Sequence, residues 1–457
     1  MNLDHDTIVA PATASGGAIA VIRISGTEAF NICDSIFRGR NPLSQATGYT
    51  VHFGRIIDGD RFIDEVLATV FRAPHSYTGE DSVEISCHGS NYIVSEILRL
   101  LVAAGARMAE AGEFTVRSYL AGKLDLAQAE AVADMIASSS QAAHTLAAHQ
   151  MRGGYSAALD KLRDQLLHLT TLLELELDFA EEEVEFADRK ELKRIMEQIG
   201  DEIEQMRSSF ALGNAIKEGI PVAIVGAPNA GKSTLLNRIL NEERAMVSDI
   251  AGTTRDVIEE QINIDGVQFR FLDTAGLRNT DDRLEQMGIE RTLQSIEKAR
   301  IIIRLIDATM LDRESLTGKI ALPAPDFPLR DDQHLLTVIN KIDALPDSKF
   351  ASDIISISAR NGIGINDLYQ ALRNIISDLF PNEGETIISN IRHYEALSNA
   401  AEALQNGLIG LNNGLPTDLL SEEIRTIIRH LGAITGRGMI VPDEVLATIF
   451  SKFCIGK

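Results

Sequence analysis

The spacing of apolar residues divides the chain into successive textures. From about residue 7 to 120, short β-rich runs alternate with helical segments such as residues 93–104. The runs are Ala18-Ile19-Ala20-Val21-Ile22-Arg23-Ile24, Ala68-Thr69-Val70-Phe71 and Ser82-Val83-Glu84-Ile85-Ser86. Turn signals at Ser15-Gly16-Gly17, Asp58-Gly59-Asp60 and Thr78-Gly79-Glu80-Asp81 separate them, which predicts a small α/β or α+β domain. From about 121 to 215 the chain is rich in Ala, Leu, Gln and Glu at helical spacing and nearly free of proline. A stretch of a third texture occupies about 216–383, and helical texture resumes from 384 to 457 after Pro381-Asn382-Glu383-Gly384. Matching helical flanks predict that the 216–383 domain is inserted into a helical one. Residues 311–333, with prolines and mixed charges, read as a surface loop.

One loop carries a specific chemical signal. Gly226-Ala227-Pro228-Asn229-Ala230-Gly231-Lys232-Ser233 follows the apolar run Ile220-Pro221-Val222-Ala223-Ile224-Val225 and leads into Thr234-Leu235-Leu236-Asn237-Arg238-Ile239-Leu240 at helical spacing. Strand, glycine-rich turn, helix is the context of a phosphate-binding loop. Glycines permit backbone angles at which successive N–H groups face a triphosphate, and the helix start adds favourable charge. Lys232 would reach the β- and γ-phosphates, and the Ser233 hydroxyl would ligate Mg²⁺.

A second signal concerns the base. Asn340-Lys341-Ile342-Asp343 follows the apolar run Leu335-Leu336-Thr337-Val338-Ile339. The Asp343 carboxylate can accept two hydrogen bonds from guanine, a donor pair adenine lacks, so GTP or GDP is the expected nucleotide. Asn340 and Lys341 would brace the loop, the lysine stem lying along the base. In Ser358-Ala359-Arg360 the Ala359 N–H could meet the guanine carbonyl. Between the two signals, Asp273-Thr274-Ala275-Gly276 would hold Mg²⁺ through water and sense the γ-phosphate, while Gly252-Thr253-Thr254-Arg255-Asp256 is the matching first switch, with Thr254 as a second metal ligand. Many GTPases place a glutamine after Asp-x-x-Gly to orient water; here Leu277 stands there. Asp281, Asp282 and Glu285 offer carboxylates nearby, and spacing does not choose among them.

At 457 residues the chain should hold two or three domains. No stretch approaches the length needed to span a bilayer, and the acidic start Met1-Asn2-Leu3-Asp4-His5-Asp6 is no signal peptide. Cys33, Cys87 and Cys454, odd in number and far apart, argue against a disulfide framework and for a cytoplasmic, reducing compartment. The balance of 43 basic to 66 acidic residues gives a net charge of −23, which repels nucleic acid at long range. Work on RNA therefore needs a local basic patch or a partner. The acidic run at 174–185 reads as a solvated helix end.

Taken together, these motifs resemble one family closely over essentially the whole chain. The loop reads Gly-x-Pro-Asn-x-Gly-Lys-Ser, the switches Gly-Thr-Thr-Arg-Asp and Asp-Thr-Ala-Gly-Leu-Arg. The amino-terminal part contains Arg-Ile-Ser-Gly (23–26), Tyr-Thr-Gly-Glu-Asp (77–81), Gly-Glu-Phe-Thr (112–115) and Lys-Leu-Asp-Leu-Ala-Gln-Ala-Glu (123–130), and the chain ends Phe453-Cys454-Ile455-Gly456-Lys457. This set resembles the MnmE (TrmE) family of tRNA modification GTPases. The nucleotide motifs are shared with other translation GTPases; the amino-terminal set and the tail are much more specific.

The resemblance implies a multidomain α/β protein: residues 1–120 a small folate-binding and dimerisation domain, 121–215 and 384–457 two parts of a helical domain, and 216–383 an inserted Ras-like P-loop GTPase domain. It implies nucleotide contacts from Asn229, Ala230, Gly231, Lys232, Ser233 and Thr234 in the loop. In the switches it implies Ser248, Asp249, Ile250, Ala251, Gly252, Thr253, Thr254, Asp273, Thr274, Ala275 and Gly276, and around the base Asn340, Lys341, Asp343, Ser358, Ala359 and Arg360. Mg²⁺ would sit on Ser233 and Thr254. K⁺ would sit on Asn229, Ser248, Ile250 and Thr253, supplying the charge of an arginine finger. Ser248 stands where a threonine is common, which leaves a carbonyl ligand intact. Glu285 matches the water-orienting glutamate. Arg23, Glu80, Lys123 and Lys457 would bind 5-formyl- or 5,10-methylene-tetrahydrofolate, and Cys454 is a candidate nucleophile beside it, or a small buried hydrophobe. The implied protein is a homodimer that acts on the wobble uridine of certain tRNAs with a flavin- and NADH-dependent partner of the GidA/MnmG type. Competing readings are a ribosome- or RNA-assembly GTPase switch, which would normally carry a basic RNA-binding domain, and a folate-dependent small-molecule enzyme regulated by GTP.

Overall fold

The computed structural model describes residues 6–14, 16–178, 189–244, 260–272, 285–311, 325, 327–345, 354–379, 386–437, 441–451, 453 and 456, with backbone alone at 178, 242–244, 285–291, 376–379, 443 and 444. These residues form two compact units. One comprises Met1–Ile136, Ala148–Gly200 and Ala396–Lys457; the other comprises Ala137–Ala147 and Asp201–Glu395.

In the first unit, seven strands form one mixed sheet in the order β3-β4-β5-β6-β2-β1-β7. In chain order they are β1 (Ile8–Pro11), β2 (Ile19–Ser25), β3 (Phe37–Gly39), β4 (Thr50–Asp58), β5 (Arg61–Phe71), β6 (Ser82–His88) and β7 (Arg107–Met108). Alternation sets which face is covered. Val66, Ala68 and Val70 of β5 and Val83, Ile85 and Cys87 of β6 are buried, packed with the helices Ala29–Ile36 and Asn91–Ala103 in a core that includes Phe30, Ile97 and Leu101. Every second residue faces the other way, and there Val51, Phe53 and Leu67 remain exposed, Phe53 lying directly opposite Leu67 across β4 and β5. The broad β-rich runs read from the sequence fall on β2, β5 and β6. Strand β4 escaped that reading because Gly54 and the register shift between Ile56 and Ile57 break the alternation of its apolar and polar residues.

The same unit contains long helices whose buried residues recur at three- and four-residue intervals. Leu159, Leu162, Leu166, Leu169 and Leu173 line the helix Gly154–Asp178, and Leu420, Ile424, Ile427, Leu431 and Ile434 line Thr417–Thr435. That spacing keeps one seam against a partner, and these two helices pack together along their length. Each buried leucine contributes about 2 kcal/mol of transfer free energy. The acidic stretch begins in the last turn of Gly154–Asp178, and the rest of it lies outside the described residues. Among the described residues no helix is long and apolar enough to cross a membrane.

The second unit is built on a six-stranded sheet ordered β13-β12-β11-β8-β10-β9, with strands β8 (Ile220–Val225), β9 (Glu260–Ile264), β10 (Val267–Phe271), β11 (Ile301–Asp307), β12 (His334–Asn340) and β13 (Ile355–Ser356). Only β9 runs antiparallel to its neighbour. Both faces are covered, which is why Ile301, Ile302 and Ile303 are buried in succession. From β8 the chain adds β10 on one side and later β11 on the other. Strand order thus reverses beside β8, and the crevice at the carboxyl ends there is where open α/β sheets take ligands.

Candidate functional site

The phosphate-loop sequence leaves the carboxyl end of β8 at that reversal. Gly226 adopts a φ of +155°, and a Cβ there would stand 2.4 Å from the Leu305 carbonyl oxygen of β11. Asn229 (φ +64°) and Gly231 (φ +97°) turn through the left-handed region, which Asn tolerates better than most residues. The helix Lys232–Arg244 then starts, anchored by buried Leu235, Leu236, Ile239 and Leu240, so Ser233 and Thr234 occupy its first turn. Lys232 is half-buried. Its Nζ donates to the Gly226 and Ala227 carbonyl oxygens at 2.8 and 3.0 Å, and burial lowers its pKa. A cation held on neutral carbonyls, with no ion pair to a carboxylate among the described residues, is well placed to receive an anion.

Asn340 ties this loop to a second one. It ends β12, is 2% exposed, and its Nδ2 donates to the Ala230 carbonyl oxygen at 2.8 Å while its Oδ1 accepts from the Ala359 N–H at 3.0 Å. One buried carboxamide therefore fixes the phosphate loop against the Ser358-Ala359-Arg360 segment. Arg238, on the loop's helix, reinforces the link by donating to the Ala359 and Arg360 carbonyl oxygens. Ser358, fully buried, donates from Oγ to Asp343 Oδ1 at 2.6 Å and accepts from the Asn361 N–H. The Asp343 carboxylate is thus held in one orientation. Lys341 takes a left-handed φ of +66°, and its Nζ lies 2.7 Å from Asp307 Oδ2 at the end of β11. The structure accordingly brings together Asn229, Ala230, Gly231, Lys232, Asn340, Lys341, Asp343, Ser358, Ala359 and Arg360. Asp307 and Arg238 were missed by sequence reasoning; a charged residue closing a buried strand was the available signal for Asp307. Residues 248–254 and 273–276 lie outside the described residues. Glu285 begins the helix Glu285–Lys298, its side chain outside the description.

A second constellation lies in the first unit. Arg23 on β2 faces Glu84 on β6 in register, with Nη2 to Oε1 at 2.8 Å, and its guanidinium stands 5.4 Å from the Tyr77 ring centroid and 5.6 Å from that of Phe114. Its Nη1 also donates to the Gly456 carbonyl oxygen at 3.3 Å. Glu80 accepts from Ser25 Oγ at 2.8 Å and from Arg117 Nη1, 3.2 Å from both carboxylate oxygens. Lys123 Nζ donates to the Pro74 carbonyl oxygen at 2.8 Å and to that of Ser76. Arg23, Glu80 and Lys123 therefore all engage the 74–80 segment or its immediate contacts. Cys454 and Lys457 lie outside the described residues.

Behind Glu80 stands an ionic network that the sequence did not reveal. Arg117, 7% exposed, donates from Nη2 to Asp6 Oδ1 at 2.7 Å and to Glu113 Oε1 at 3.1 Å, and Arg107 bridges the same two carboxylates. The Arg107 hydrogen bond is the main cause holding the Asp6 carboxyl below its ordinary range. Burial opposes ionisation of Glu113, and hydrogen bonds from Arg107, the Glu110 N–H and Arg117 outweigh it, so its pKa is lowered too. Cys33 and Cys87 are free and buried, and burial pushes the Cys87 thiol up to about 11.

Comparison with known proteins gives full-length likeness. The family model described as GTP-binding protein TrmE N-terminus matches residues 7–123, and that of the MnmE helical domain matches 126–454. A protein of Cytophaga hutchinsonii named tRNA modification GTPase MnmE is 50% identical over 459 residues, covering 99% of this chain and 98% of its own. A Bacteroides fragilis protein of the same name is 48% identical over 471 residues, covering 100% of both chains.

Proposed function

Since the chain belongs to the MnmE family of tRNA modification GTPases, and is thus a GTP-hydrolysing enzyme of tRNA modification, we propose that its reaction is K⁺-dependent and serves the wobble uridine. With a flavin- and NADH-dependent partner of the GidA/MnmG type, it modifies C5 of that uridine in certain tRNAs to a (carboxymethyl)aminomethyl-type group, acting in the cytoplasm. Hydrolysis drives closure of the nucleotide domains across a homodimer. The observation that carries the nucleotide half is the Asn340 carboxamide, which holds the phosphate loop and the 358–360 loop in one arrangement.

In this reading residues 216–383 are the GTPase domain, 121–215 and 384–457 the helical domain, and 1–120 the folate and dimer module. Asn229, with Ser248, Ile250 and Thr253, would hold K⁺, and Ser233 with Thr254 would hold Mg²⁺; the left-handed turn at Asn229 and the Ser233 position in the first helical turn are compatible with those roles. The two cations supply positive charge beside the triphosphate. Glu285 orients water. Arg23, Glu80, Lys123 and Lys457 bind a tetrahydrofolate, with Cys454 as the candidate nucleophile. The folate assignment is supported by the convergence of Arg23, Glu80 and Lys123, and the dimer by the uncovered apolar sheet face at Val51, Phe53 and Leu67. The acidic charge of the chain favours a partner that supplies much of the RNA contact.

The deciding experiment is nucleoside analysis of tRNA from cells lacking this protein. Loss of the C5-modified wobble nucleoside is expected, and an unchanged composition overturns the reading. The potassium part is tested separately by GTP turnover in KCl against NaCl, with Asn229→Ala; indifference to the cation removes it.

A further inference from the structure

We infer that Asp307 is a positioning residue of the guanine site, acting through Lys341. Asp307 ends β11 directly beside Asn340 in the β11–β12 register, and the chain turns left-handed at the next residue, Lys341. That turn brings Lys341 Nζ to 2.7 Å from Asp307 Oδ2. The carboxylate is itself fixed: its Oδ1 accepts from the Thr309 N–H at 2.9 Å and from Thr309 Oγ1 at 2.7 Å, and its side chain is 10% exposed.

The physical consequence follows from what a lysine is. Its ammonium is strongly hydrated and its stem is apolar, so an unanchored lysine follows its head into water. Guanine is neutral and offers the ammonium no ionic partner. With the head tied to Asp307, the four-carbon stem is the part left to lie against a base, at little further entropic cost on binding. Asp307 thus prepares one wall of the base site while Asp343 reads its edge. This rests on the reading that residues 340–343 receive the base.

The test is release of a fluorescent GDP analogue from the full-length protein, followed by competition with unlabelled GDP. Asp307→Asn keeps an oxygen for Thr309 and removes the charge that holds Lys341. Release should quicken about tenfold, the worth of one charge-assisted hydrogen bond, with KM for GTP raised and kcat held. Lys341→Met should match it, and the double variant should release no faster than Lys341→Met alone. Wild-type release from Asp307→Asn, or effects that multiply in the double variant, overturns the inference. Thr309→Val removes the hydroxyl contact to Asp307 and leaves the Thr309 N–H bond and the ion pair; if it quickens release as much as Asp307→Asn, Asp307 only supports the turn and the inference fails. Should Asp307→Asn not fold, Lys341→Arg against Lys341→Met carries the test, since Arg can keep the pair. Arg is expected to release more slowly, and equal rates refute the idea. Asp343→Asn separates the underlying reading: if it binds GDP like the wild type, the base lies elsewhere. If it loses GDP while Asp307→Asn behaves as wild type, only the Asp307 role falls.

Discussion

Replacing Asn340 by Ala removes both ends of a buried bridge without touching either loop's own sequence. The Ala230 carbonyl oxygen loses a donor at 2.8 Å and the Ala359 N–H loses an acceptor at 3.0 Å. Both bonds are buried, so each unpaired partner costs about 1–3 kcal/mol. The sum is about 2–6 kcal/mol, reduced where water enters the space left by the carboxamide. If about 3 kcal/mol of it appears in nucleotide binding, the Kd for GDP rises roughly a hundredfold. Titration calorimetry with GDP reads this directly, and thermal unfolding without nucleotide reads the share carried by the fold. Asn340→Asp keeps an acceptor for Ala359 and sets a carboxylate against the Ala230 carbonyl, so it should bind GDP no better than the Ala variant. Unchanged GDP affinity in Asn340→Ala, with unfolding also unchanged, would show that the bridge contributes nothing and refute the argument.

Two further outcomes are expected. Gly231→Ala demands a side chain at φ +97° with its Cβ 2.3 Å from Asn340 Nδ2, so GDP binding should be lost while secondary structure by circular dichroism persists; tight binding by this variant would contradict the loop geometry. The Asp6 and Glu113 carboxyls have folded pKa values below their ordinary ones of 3.8 and 4.5, so their stabilisation is fully present above those ordinary values and disappears as pH falls through the folded values. Arg107→Gln should therefore lower Tm at pH 7, and its melting curve should approach that of the wild type in acid, whereas an equal gap at all pH values would mean the arginine acts by packing alone.

Chemistry whose residues are neighbours in the chain was legible before any fold was known. The loop 226–233 must follow a strand and open a helix, and the strand Ile220–Val225 and helix Lys232–Arg244 stand on either side of it. The same is true of residues 340–343 at the end of β12. Such motifs depend on backbone angles and short spacings, which local sequence encodes. Helix seams were legible too, because 3- and 4-residue spacing is a property of one segment.

What joins those segments was not legible. Asn340 reads as a loop brace in the sequence, yet its partners are residues 230 and 359, and only the order of strands brings them together. Asp307 gained a role through the register of β11 on β12, and Arg117 through a network reaching residues 6, 80 and 113. A charge in a sequence is ordinarily a solvated side chain. Whether it is instead buried and paired depends on groups distant along the chain, whose approach is set by packing and desolvation. Sequence alone determined which nucleotide chemistry this protein can address; tertiary structure decided which charges hold that chemistry in place.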